Sequence, residues 1–89
     1  PTVATVMQIM RLTKTLTLNV SYMEEMLDRA EDEEKMSPSW YKHMNDLQFY
    51  SERVDKLNAA IDKLKEGVDM AKLQQQVQAE QPQGGSRGQ

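Results

Sequence analysis

The stretch WYKHMNDLQFYSERVDKLNAAIDKLKEGVDMAKLQQ, residues 40–75, decides the fold. Read in sevens, it places Trp40, Leu47, Val54, Ile61 and Val68 at one seam position. His43, Tyr50, Leu57, Leu64 and Ala71 fall at the other, and no proline interrupts the run. Apolar residues alternating at spacings of three and four over this length predict an amphipathic helix with coiled-coil packing. Lys42 with Asp46 and Glu52 with Lys56 sit at the spacing of surface ion pairs. Gly67 costs roughly 1 kcal/mol relative to alanine in a helix. With Ala60, one heptad earlier, it marks either a small-residue strip for a close neighbour or a tolerated surface glycine.

Upstream, Ser37 and Pro38 predict the start of that helix, serine as N-cap and proline at the first helical position. Residues 24–35 hold seven acids against two bases. Glu31, Asp32, Glu33 and Glu34 are unfavourable at the negative end of one helix and favourable beside the start of the next. A turn at about 35–38 follows, short enough to fold the helices back on each other.

Residues 1–23 contain two bases and no acid. As a helix they present a second heptad seam: Ile9, Leu12, Leu16, Asn19, Met23, Met26 and Ala30. As a strand, Leu12, Lys14, Leu16, Leu18, Val20 and Tyr22 alternate with Thr13, Thr15, Thr17 and Asn19. The threonines favour the strand locally. Ser21 followed by Glu24 has the form of a capping box and suggests a helix beginning there. A strand has no sheet partner elsewhere in the chain, so a continuous helix is preferred.

The two seams agree in register. Folded about the turn, Asn19 faces Val54, Met23 faces Tyr50, Met26 faces Leu47 and Ala30 faces His43. Leu16, Leu12, Ile9 and Thr5 then meet Leu57, Ile61, Leu64 and Val68. The expected architecture is all-α: a long antiparallel, coiled-coil-like hairpin over 1–80, with helices at about 3–35 and 38–80. Residues 81–89, with Pro82, Ser86 and three glycines, read as a flexible Gly/Gln-rich tail.

One seam leaves apolar residues over. Val6, Met10, Val20 and Leu27 form a further stripe on the first helix, while Met44, Phe49, Met70, Leu73 and Val77 lie off the second seam. Together with Trp40 they are the candidate contacts for another copy or another helical protein. Eighty-nine residues without cysteine make a marginal core with no disulfide to support it. Association is therefore expected.

Composition narrows the chemistry. A formal charge of −3 and a pI near 5.1 argue against a nucleic-acid binder. Arg11 and Lys14 break the N-terminal apolar stretch, which rules against a membrane span and fits a signal peptide poorly. The same two bases are thin support for attraction to a membrane surface. One histidine, no cysteine and no phosphate loop leave no catalytic set, and neither metal nor cofactor is expected. The acids at 31–34 lack the alternating ligands and glycine of a calcium loop.

Four of the five aromatics, Trp40, Tyr41, Phe49 and Tyr50, fall near the turn, where they either cap the hairpin or form a docking knob. Met7, Met10, Met23 and Met26 are core filling or an adaptable binding surface. Asn19 in a seam would lower stability while setting register and partner number. These features favour a non-enzymatic structural or assembly protein; the alternative is a small chaperone or adaptor that masks a partner's helix. In its length, two-helix outline and Ser37-Pro38-Ser39 turn, the chain also resembles needle or filament subunits of bacterial secretion systems. That resemblance implies self-assembly with a long C-terminal helix lining the assembly. The polar, Gly-rich residues 81–89 depart from it.

Overall fold

The computed structural model describes residues 2–80; the expected tail at 81–89 lies outside the described residues. The fold is all-α, a hairpin of two long helices, α1 (Val3–Glu31) and α2 (Pro38–Glu80). No strand occurs among the described residues, so the strand reading of 12–22 is overturned. The threonines show how the helix accommodates them. Thr13, Thr15 and Thr17 donate their hydroxyls to the carbonyls of Ile9 (2.8 Å), Arg11 (3.1 Å) and Thr13 (3.0 Å), one turn back. Each bond satisfies the hydroxyl within its own helix and settles the β-branched side chain in one helical rotamer. Ser21 likewise donates to Leu18 O at 2.7 Å, so it lies inside α1 rather than at a helix start. The start is Thr2, whose hydroxyl accepts from the Thr5 amide at 3.2 Å.

α1 ends at Glu31, four residues before the boundary expected near 35. The Asp32 and Glu33 amides close a tighter last turn on Arg29 O and Ala30 O, both at 3.2 Å. Continuing the helix would have carried three more carboxylates into its negative end, with Arg29 the one base in the last turn. A β-turn follows, with the Ser37 amide donating to Glu34 O at 3.0 Å. Its third residue, Met36, has φ 67°. That is the left-handed conformation a type II turn requires there, ordinarily given to glycine or asparagine. Ser37 then caps α2: its hydroxyl accepts from the Trp40 amide (3.2 Å) and its carbonyl from the Tyr41 amide (3.0 Å).

Two specific cross-helix contacts fall within one residue of the expected pairing. Arg53 bonds Asn19, where Val54 was expected opposite, and the Tyr22 ring meets Tyr50, expected opposite Met23. Met26, Ala30, Ile61 and Asn19 are buried. Ile9, Leu12, Leu16, Met23, Leu47, Tyr50, Val54, Leu57, Leu64 and Val68 are half-buried, as two helices alone enclose a seam from two sides only. The surface ion pairs expected on α2 do not form: Glu52 accepts from Gln48 at 3.3 Å, and the pair at helical spacing is Glu25 with Arg29 (3.3 Å).

The helices are unequal. α1 has 29 residues and α2 has 43, so α2 is longer by about 20 Å at 1.5 Å per residue. Carried to Val3, the register ends pairing near Met70, and Lys72, Gln74, Gln75, Gln76, Val77 and Gln78 are all exposed.

Candidate interaction surface

The seam has one polar residue at its centre. Asn19 is 4% exposed, and both ends of its amide are used. Its Nδ2 donates to Thr15 O at 2.8 Å, and its Oδ1 accepts from Arg53 Nε across the hairpin at 3.2 Å. Burial of an amide is tolerable only when it is bonded in this way. Since Arg53 reaches Asn19 from one position along α2, sliding the helices by a turn would strand the amide. Arg53 was not singled out by its spacing; its neighbour Val54 was.

Beside this pair the aromatics divide into two groups instead of forming one cap. Trp40 and Tyr41 make an edge-to-face pair at the turn, centroids 5.0 Å apart. Further along, Tyr22, Tyr50 and Phe49 follow one another at 5.2 and 5.3 Å, and the Arg53 guanidinium lies 5.7 Å from the Phe49 ring. Phe49, expected as a free contact, is thus partly engaged within the hairpin while remaining 57% exposed. At the turn, His43 Nε2 is 3.6 Å from Glu33 Oε1, and its Nδ1 is buried without a hydrogen-bond partner. His43 occupies a packed position in the seam end. Among the described residues no three metal-ligating side chains cluster, and no helix is long and apolar enough to cross a membrane.

The candidate contact residues separate by helix. On α1, Val6, Met10, Val20 and Leu27 are all exposed, and one line joins them. Each follows a seam residue or its heptad equivalent by one, so the line is a second face about 100° around the helix from the first. The same spacing adds Val3, Thr13, Thr17 and Glu24, which the sequence reading left out. The threonines belong there in spite of their hydroxyls, because those hydroxyls already bond to α1's own carbonyls. With each hydroxyl engaged by its own helix, the methyl group is the part left to pack against a neighbour.

On α2 the candidates scatter. Trp40 and Met44 are half-buried, and Met44 meets Leu27 across a groove of about 480 Å³ also lined by Met23, Leu47, Gln48 and Ser51. Met70 and Val77 are exposed, Val77 on the overhanging segment; the side chain of Leu73 lies outside the described set. Gly67 has nothing within 4 Å of where a Cβ would stand, so none of the described residues makes use of its smallness.

Charge divides the hairpin lengthwise. The turn end of α1 carries Glu24, Glu25, Asp28 and Glu31 against Arg29, while its open end carries only Arg11 and Lys14. No known protein family matches this chain, and no characterised protein or solved structure is significantly similar to it. The resemblance to secretion-system needle subunits therefore rests on length, the two-helix outline and the turn.

Proposed function

We propose that this protein is a non-enzymatic structural or assembly component that associates with copies of itself through helix faces. The observation that supports this reading is the second apolar stripe of α1, exposed along its length although the first seam already holds the hairpin together. Burying a Leu-sized side chain is worth about 1.5–3 kcal/mol. With Met26, Ala30 and Ile61 the only buried apolar residues among those described, the hairpin has little other stabilisation to set against the conformational entropy of its backbone. Placing the stripe against another helix supplies it.

Light scattering on the purified chain over a concentration series tests the reading. Expected is a mass above that of one chain, reaching a defined oligomer or growing polymers as concentration rises. A well-ordered monomer at the highest concentration overturns it. A monomer that gains helicity only on addition of another protein would replace it with the adaptor reading.

A further inference from the structure

We infer that the second stripe of α1 is the seam of a twofold antiparallel dimer, α1 against α1 of a second copy. This inference rests on the proposed self-association and adds the occupant, direction and register. The stripe is a strict heptad line, Val6, Met10, Thr13, Thr17, Val20, Glu24 and Leu27, and every member is exposed. The polar middle of the line is ready for burial. Thr13 and Thr17 already donate their hydroxyls in hydrogen bonds to Ile9 O and Thr13 O, so an apposed helix strands no donor there.

Direction follows from charge. A parallel pair in register would set Glu24 against Glu24 of the other copy, with Glu25 and Asp28 alongside their own equivalents. Like charges held opposite each other are unfavourable, more so as water is excluded. An antiparallel pair brings the acidic C-terminal half of each α1 to the other's N-terminal half, which has Arg11 and Lys14 and no acid.

Register follows from the one carboxylate in the line. With Thr17 opposite Val20 of the other copy, Met10 meets Leu27 and Thr13 meets Glu24. Lys14 then lies beside the Glu24 carboxylate, and both copies gain the same pair by symmetry. Sliding one heptad toward the N-terminus instead sets Glu24 against Val6 with no base near it. The charge pattern thus selects one of the available pairings.

Because the chain contains no cysteine, introduced thiols report this geometry without interference. Full-length T17C and V20C chains, mixed and oxidised, should yield a covalent heterodimer as the main product, as should M10C mixed with L27C. M10C alone should remain mostly uncross-linked. Cross-linking of M10C with itself, together with L27C with itself, would mean a parallel pair and overturn the inference. No cross-link in either mixture, while scattering still gives an oligomer, would overturn this interface and leave self-association standing. No oligomer at all would remove both. As a second readout, Glu24→Lys should weaken the dimer at low salt, and Lys14→Glu combined with Glu24→Lys should restore it. Failure of the double variant to recover would overturn the register.

Discussion

The two helices of this hairpin are built on one spacing and end as different surfaces. α1 has an apolar seam toward α2 and a second apolar line beside it. α2 has a longer seam, yet the positions just after it hold Tyr41 and Met44 only at the turn and then run Gln48, Ser51, Asp55, Asn58, Asp62, Lys65, Asp69 and Lys72, all polar. The positions just before it mix Lys42, Asp46, Arg53, Lys56 and Lys63 with Phe49, Ala60, Gly67 and Met70, so charges break up the apolar residues there. The contrast separates two jobs that apolar residues can have. The facing seams make the hairpin. The second line on α1 exceeds what the hairpin needs, and the excess lies on the shorter helix, where it is continuous.

Neighbours in the chain give the most direct way to break that contrast. Met26 is 7% exposed and Leu27 is 45% exposed, one on each line. Met26→Ala should lower stability by about 2–3 kcal/mol, read as a drop in the urea midpoint followed by circular dichroism. Leu27→Ala should change the unfolding free energy of a dilute sample by less than about 0.5 kcal/mol. It should instead raise the concentration at which the chain associates. Equal losses of stability in dilute solution would mean that the two lines do the same work.

A smaller effect is expected at the centre of the first seam. Asn19→Leu replaces a buried amide with a side chain whose burial is favourable, and Arg53, an exposed residue, returns to water. Stability should rise by about 1–2 kcal/mol, with a broader distribution of associated species as the register loosens. Thermal unfolding and sedimentation velocity measure the two parts. Lower stability would mean that the Asn19–Arg53 bond outweighs the apolar alternative.

Gly67→Ala should gain roughly 1 kcal/mol from helix propensity, less than the change at Met26, since open space surrounds the new methyl group. A loss accompanied by weaker association would assign the exposed Ala60 and Gly67 to contact with another helix.

Much of this architecture was legible because a heptad is a long-range pattern: eight positions of α2 pair in register with eight of α1, and the turn chemistry at Ser37 and Pro38 is local and unambiguous. The end of α1 was less so. Glu31, Asp32, Glu33 and Glu34 give no helix-stopping glycine, and the turn is made instead by Met36 in a left-handed conformation that its residue type does not advertise. Threonine was read by its average preference, whereas three consecutive hydroxyl-to-carbonyl bonds make it compatible with α1. Those bonds also explain why Thr13 and Thr17 went unnoticed in the second line: side-chain type suggested polarity, and only the bonded geometry reveals the methyl face. Arg53 was hidden for a different reason, since a long side chain reaches across a seam from a flanking position that pattern alone assigns to solvent.

The far end of α2 outruns its brace. Past the level of Val3 no second helix of the described residues lies alongside, and the closing turns rest on local amide-to-carbonyl bonds. Deuterium should enter those turns sooner than anywhere else in α2 while the chain is solitary. Should a companion molecule come to rest there, uptake would slow first at that tip, which makes the bare end a natural gauge of crowding by its own kind.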